Sequence, residues 1–582
     1  MKGNSGSSLR VLRPYIFKYR KLWIAGLFSI AMTNVFMLAA PWILKRAVDA
    51  LEAGVTSDGL VRYAAAIIAV TLISAIFRFF MRQTMIGASR KIEYDFRNDF
   101  FDHLLTLDRP YYDKTLTGDI MARATNDMDS VRSMLGPGIM YFCSTAITLT
   151  LALLLMIRIS PQLTLLSMIP MPVITILVFF LGREINKRYM KIQEQYSTIT
   201  ARAQESFAGI RVVKAYVQED AEIDDFSFLN LDYVRKNMSM IKVWGMFFPA
   251  IVLFSGTAVI MVLWFGGKAV ISGSITLGDF VAFTAYLLLL IWPMAALGWV
   301  VGLYQRGKAS LSRIEQILNA RPAIKDKPNA ISKEIEGKIE FKNLRFAYDS
   351  AEVLKGIDAV IEPGTNVAII GGTGSGKTTL ISLLMRAYPV ERGMIFIDDI
   401  DINDYDLHSL RSQIVPVMQE TFLFSETIKS NIAYGNHDSG LESVTKFAVA
   451  AGVAGEIEDF PHKYDTILGE RGITLSGGQK QRTALARALS SAPRVLILDD
   501  AFSSVDTHTE EEILTNLRQI LKGKTTIMIS HRISTIKNAD LIFVISDGRI
   551  AERGKHYDLL AAGAYYSRLY KKQLIESELE AL

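Results

Sequence analysis

Val367-Ala368-Ile369-Ile370-Gly371-Gly372-Thr373-Gly374-Ser375-Gly376-Lys377-Thr378 decides how the second half of this chain is read. A short apolar run passes directly into G-x-x-x-x-G-K-[ST], the strand–loop–helix order of a phosphate cradle. Glycines let backbone N–H groups turn inward around phosphate oxygens, and the positive N-terminal end of the next helix adds to that field. Lys377 is expected to reach the β- and γ-phosphates, and Thr378 to offer an oxygen to Mg²⁺. With Thr379, these residues from Gly371 onward form the expected ATP-binding run.

Outward from the cradle, short β-branched runs alternate with helical patterns: Asn366 to Ile370, Ile414 to Val417, Val495 to Leu498, Thr525 to Ile529 and Leu541 to Ile545. That alternation predicts an α/β domain with a largely parallel sheet. Val495 to Asp499 is an apolar strand ending in a carboxylate, and an aspartate there holds a metal through its water shell. Between the two lies Leu475-Ser476-Gly477-Gly478-Gln479, a serine and glycines before a helix, the makings of a second phosphate cradle.

The first half has another character. The 582-residue chain is 50% hydrophobic with a mean hydropathy of +0.24, high for a soluble protein. The net charge of +5 argues against a general nucleic-acid binder. A single cysteine, Cys143, excludes an intrachain disulfide. Leu22 to Leu44, Ser133 to Ile157, Ile159 to Gly182, Val243 to Gly267 and Phe280 to Gln305 carry no charge. Each exceeds the roughly 20 residues that a bilayer-spanning helix needs. Tyr63 to Phe77, between Arg62 and Arg78, is shorter, but Phe79, Phe80 and Met81 extend it and arginines near a helix end snorkel. It is the sixth expected span. The N-terminus is basic and polar, and the first apolar run has no small-residue cleavage pattern after it, so it is expected to stay in the lipid bilayer.

Basic residues fill the segment before the first span, the connection between the second and third, and the connection between the fourth and fifth. They put both termini and both long connections in the cytoplasm. Those connections are rich in helix formers and are expected to be helical extensions. The predicted organisation is a membrane domain over 1–318, a polar linker with two prolines over 319–337 and the nucleotide-binding domain over 338–582.

Leu475-Ser476-Gly477-Gly478-Gln479 resembles the signature of ATP-binding cassette (ABC) proteins, and the rest of that family's pattern follows in order. The resemblance implies that Tyr348 stacks on adenine and that Gln419 senses Mg²⁺ alongside Thr378 and Asp499. It implies that Ser503-Ser504-Val505-Asp506 crosses a dimer interface and that His531 contacts the γ-phosphate. Gly469-Glu470-Arg471-Gly472 matches a segment seen before the signature in exporters. Six spans fused ahead of the cassette look like the exporter type. Tyr111-Tyr112-Asp113, Thr117-Gly118-Asp119, Arg123 and Asp127 resemble its first coupling region, and Glu205 with Gly209 to Tyr216 the second. Such chains work as dimers, each ATP held by one chain's Gly371-type loop and the other chain's signature. Lys377, Gln419 and His531, with the residue after Asp499, are the expected catalytic set.

That last residue is a departure. The family normally has glutamate as general base, and this chain has Asp500. Aspartate is one methylene shorter, so its oxygens retreat by roughly 1.5 Å. A general base works within about 2.6–3.2 Å of its proton, and a misplacement of about 1 Å costs on the order of a hundredfold. This chain's own site is therefore expected to bind ATP and hydrolyse it poorly, while its intact signature serves a partner. That combination resembles one half of a bacterial heterodimeric multidrug exporter. Spans with few charges suit a small amphipathic substrate. The alternative is a homodimer exporting a specific lipid, peptide or siderophore. A subunit that only binds ATP as a sensor is a third reading, which six spans and two coupling regions oppose.

Overall fold

In lipid an uncharged run satisfies its backbone groups by becoming a helix. The computed structural model, which describes residues 8–469, 472 and 475–580, carries the six expected runs as helix, except that in Ile159 to Gly182 the first residue ends the preceding helix and Ser160 and Ile169 are non-helical. The candidate spans are Arg20–Glu52, Ser57–Thr106, Thr117–Ile159, Pro161–Ala208, Glu219–Ile271 and Leu277–Leu318. The second is 50 residues long, far beyond the ~30 Å hydrocarbon core. The polar connections are therefore continuations of the same helices, as their composition predicts. Pro137 lies in a π-helical turn, Met134–Gly138, where a widened turn accommodates the missing N–H.

The chain divides into two units, one of residues Met1–Thr106 with Thr115–Ala320, the other of Leu107–Lys114 with Arg321–Leu582. In the first unit, helices are joined by buried polar groups as well as by packing. Asn34 binds Thr148 and, at 3.3 Å, Ser144. Ser74 donates to the Thr33 carbonyl at 3.1 Å, and Tyr286 to that of Leu38 at 3.1 Å. Such bonds are worth about 0.6–2 kcal/mol between helices in lipid. Around them pack Ile174, Phe283, Leu287 and Leu290. At the ends of these helices, Asp49 accepts the Gly278 N–H at 2.9 Å and Arg313 pairs with Asp127.

The second unit holds two sheets. Strands β1 (Ile339–Tyr348), β2 (Ala351–Ile361), β4 (Ile395–Ile397) and β5 (Ile400–Asp401) form an antiparallel sheet in the order β2-β1-β4-β5. Strands β3 (Asn366–Gly371), β6 (Ile414–Val417), β7 (Val495–Asp499), β8 (Thr525–Ile529), β9 (Leu541–Ser546) and β10 (Arg549–Gly554) form the other, in the order β10-β9-β3-β8-β7-β6. The five expected strands are its parallel members, and β10 pairs antiparallel at the edge. The antiparallel sheet lies outside the sequence expectation. Its two long strands, β1 and β2, carry charge at intervals, and only packing against β3 and the helix Lys377–Leu384 buries Phe341, Leu354 and Ile357. A second core, with Ile432, Ala448, Leu485 and Leu489, supports the helix that follows the serine–glycine motif.

Candidate nucleotide site

Open α/β sheets gather function at the carboxyl ends of their strands, and here three neighbouring strands end together. Ile529 of β8 is in register with Ile369 of β3 on one side and with Asp499 of β7 on the other. The loop after Gly371, the Asp499–Asp500 pair and His531 thus leave the sheet at one level.

The loop has the predicted form. Gly376 caps the helix Lys377–Leu384 at φ +102°, and a Cβ there would lie 2.7 Å from Leu354 Cδ2. No other residue fits that turn without strain. Lys377 is 7% exposed, and its ammonium donates to the carbonyls of Gly371 at 3.0 Å and Gly372 at 2.9 Å. Burial pushes its pKa down, while Asp500 and Asp499 oppose that shift. A partly desolvated cation in a nest of glycines favours a polyanion.

Asp499 is 1% exposed, and its Oδ2 has no hydrogen-bond partner. Burial pushes its pKa up against the Thr378 hydroxyl bond. Ser375 Oγ is also buried and unpartnered. Two orphaned oxygens beside a buried lysine are costly unless a ligand satisfies them, and they fit a phosphate-bound cation. Groups of three His, Cys, Asp or Glu able to hold a metal are absent among the described residues. Gln419 is exposed just beyond β6.

Asp500 takes a left-handed backbone conformation, φ 46°, which aspartate tolerates. Its N–H donates to the Ile529 carbonyl at 3.0 Å. Both carboxylate oxygens face the next loop: Oδ1 accepts the His531 N–H at 3.2 Å, and Oδ2 lies 3.4 Å from His531 Nε2. The structure brings Asp500 and His531 into direct contact.

Tyr348, at the end of β1, is 38% exposed, and its hydroxyl lies 3.4 Å from Thr379 Oγ1. Its ring meets Phe346 and Tyr388 edge-on, at 4.9 and 5.2 Å. Tyr388 donates to Asp113 at 2.5 Å, so the segment 107–114 is tied into this unit by a specific bond.

Ser476 caps the helix Gly477–Ser490 in a reciprocal arrangement with Gln479, by bonds of 3.2 and 2.9 Å. Ser476 and Gly477 are exposed, whereas Leu475 and Gly478 are buried. A Cβ on Gly478 would sit 2.7 Å from the Ser504 carbonyl, which explains the glycine. Asp506 caps the helix Thr507–Ile520 through the Thr509 N–H at 2.9 Å. Glu470 and Arg471 lie outside the described residues.

Three supporting residues have no local sequence signal. Gln481 ties the signature helix to the Ser503 loop, donating to Ser503 Oγ at 2.7 Å and accepting the Ser504 N–H at 3.0 Å. Glu510 holds Arg532 at 3.0 Å. Gln573, on the C-terminal helix Tyr565–Glu580, brackets the histidine loop by accepting the Ile533 N–H at 2.9 Å and donating to the His531 carbonyl at 2.5 Å. All three act across 22 to 42 residues of chain.

Comparison with known proteins gives two family matches: ABC transporter transmembrane region over residues 23–294, and ABC transporter over residues 354–503. A Bacillus subtilis protein, "Probable multidrug resistance ABC transporter ATP-binding/permease protein YheI", is 36% identical over 97% of each chain. The "Multidrug resistance-like ATP-binding protein MdlA" of Escherichia coli is 35% identical over 98% of each. An "ATP-dependent lipid A-core flippase" of Syntrophus aciditrophicus is 33% identical over 98% of this chain and 94% of its own. Among solved structures, a bacterial Atm1-family ABC exporter with ATP bound superposes with a TM-score of 0.80 at 28% identity, over 95% of this chain and 99% of that one.

Proposed function

This chain belongs to the ABC transporters, as an exporter half-transporter with its membrane and ATP-binding regions in one ATP-hydrolysing polypeptide, and from that premise we propose that it moves amphipathic or hydrophobic compounds out of the cytoplasm as one half of a heterodimer. It is a multi-pass membrane protein of a family that works as dimers. In the proposed arrangement it lies in a bacterial plasma membrane with both termini cytoplasmic. Residues 1–318 form the membrane domain, and 338–582 the cassette after a linker.

The observation that carries the heterodimer is Asp500. Its two oxygens are committed to the backbone and ring of His531, and its reach is one methylene short of glutamate. Gly371 to Thr379 bind ATP, Tyr348 takes the adenine, and Mg²⁺ is held by Thr378, Gln419 and Asp499. Mg²⁺ there offsets phosphate charge. Lys377 neutralises the phosphates, His531 contacts the γ-phosphate, and Asp500 is a weak base. Leu475, Ser476, Gly477, Gly478 and Gln479 act on the partner's ATP, while Ser503 and Asp506 line the dimer interface.

Relatives named for multidrug resistance and for lipid A-core flipping support an amphipathic substrate. A second reading, a homodimer exporting a specific lipid, peptide or siderophore, draws on the carboxylate retained at 500. The test is ATP-dependent uptake of a fluorescent amphiphile into inside-out vesicles, with and without co-expression of a glutamate-bearing partner. Uptake only with the partner is expected. Equal uptake by this chain alone establishes the homodimer, and no uptake in either case rejects amphiphile export.

A further inference from the structure

The first unit contains a cleft of about 650 Å³ between the helices Pro170–Ala208, Glu219–Met261 and Leu277–Leu318. That is the size of a site for one small ligand. Its volume comes from missing side chains. A Cβ on Gly182 meets nothing within 4 Å, and one on Gly302 meets only the Arg306 guanidinium at 3.7 Å.

The lining is divided along the helix axes. Phe179 and Trp299, with Phe247 opposite, form an aromatic end. Arg183 comes four residues and Asn186 seven residues after Phe179, and Gln305 and Arg306 come six and seven residues after Trp299, about two turns along that helix. Residues three and four apart share a helix face, so the sequence itself separates the apolar wall from the cationic one. Arg183 and Arg306 are the first charged residues after the uncharged runs Ile159 to Gly182 and Phe280 to Gln305. Neither has an ion-pair or hydrogen-bond partner among the described residues. No carboxylate lines the cleft, and Glu184, beside Arg183, is engaged by Arg188 at 2.9 Å. Two unpaired guanidiniums at the edge of a low-dielectric wall are matched by a phosphate or carboxylate, which guanidinium forks bind through paired hydrogen bonds.

We infer that this cleft receives membrane-dissolved amphiphiles with an anionic head group, the head on Arg183 and Arg306 and the chain against Phe179, Phe247 and Trp299. This rests on the export of amphiphiles proposed above and narrows its substrate class. Arginines that merely anchor helices in lipid head groups would also be unpaired, so the test reads charge selectivity.

The full transporter, purified with its partner and reconstituted in zwitterionic nanodiscs, is assayed for ATPase stimulation by dodecyl phosphate, dodecyltrimethylammonium and ethyl phosphate. Each variant is normalised to its own rate without amphiphile. Dodecyl phosphate is expected to act at a concentration about tenfold lower than the cation, and ethyl phosphate, lacking the chain, to have no effect. Arg183→Gln with Arg306→Gln should erase the preference. The double lysine variant should keep most of it, and the double glutamate variant should reverse it. A preference unchanged by the glutamine or glutamate pair overturns the site, as does equal action of anion and cation or stimulation by ethyl phosphate. Silence toward every amphiphile overturns amphiphile export along with it.

Discussion

Asp500→Asn and Ser476→Ala have opposite expected consequences, and the structure sets their sizes. Asparagine is nearly isosteric with aspartate and equally tolerant of φ 46°. Its amide oxygen can still accept the His531 N–H now held at 3.2 Å, so the loop is kept. What is lost is the second carboxylate oxygen, 3.4 Å from His531 Nε2, and with it any base. If this chain's site contributes little turnover, ATPase of the complex falls less than about twofold, on the order of 0.4 kcal/mol. Ser476→Ala acts on the partner's ATP. It removes a helix cap, worth about 1 kcal/mol of local stability, and a donor to the transferring phosphoryl group, whose loss costs ~10²–10³ in turnover. Ser476→Asn separates the two effects, because asparagine caps as well as serine and lacks the hydroxyl; it should be nearly as inactive as alanine. The assay is steady-state ATPase of the purified complex with each variant in turn. Near-complete loss with Asp500→Asn would refute the unequal sites and restore the homodimer.

Lys377→Ala should sharply weaken nucleotide binding by this chain, since phosphate charge loses its buried counter-ion; unchanged labelling by an azido-ATP analogue would count against the loop. Tyr348→Leu should lower ATP affinity by about 1–3 kcal/mol, the usual worth of ring–base stacking, measured by titration calorimetry; an unaltered affinity rejects that role. In a Cys143→Ala background, cysteine at Ser272 should react with impermeant thiol reagents from outside and cysteine at Ser206 should not; the reverse pattern overturns the topology. For Asp499 the shift has a definite sign. Burial raises its pKa, so the stability favouring its neutral form is present below the unfolded carboxylate pKa and is lost as pH rises through the folded value. Asp499→Asn should thus raise the melting temperature of the nucleotide-free full chain at pH 7 and flatten its pH dependence above pH 4; a lowered melting temperature contradicts the buried-charge account.

The sequence by itself determined the spans, the parallel strands and the phosphate loop, because each is governed by short-range physics. An uncharged run has one stable form in lipid, buried parallel strands are continuously apolar, and a cradle of glycines before Gly376-Lys377-Thr378 has one backbone solution. The substitution at Asp500 was equally legible, being a matter of identity at a fixed place in a motif. Tertiary structure alone decided what touches what. The antiparallel strands β1 and β2 carry too much charge, and β4 and β5 are too short, to declare themselves; they become strands where a core covers one face. Tyr388 and Asp113 lie 275 residues apart. Gln573 reaches His531 from the C-terminal helix, and Arg183 and Arg306 share a cleft although each alone reads as an ordinary charge at the end of a span. Their contacts depend on long-range packing, which no local window of residue types encodes.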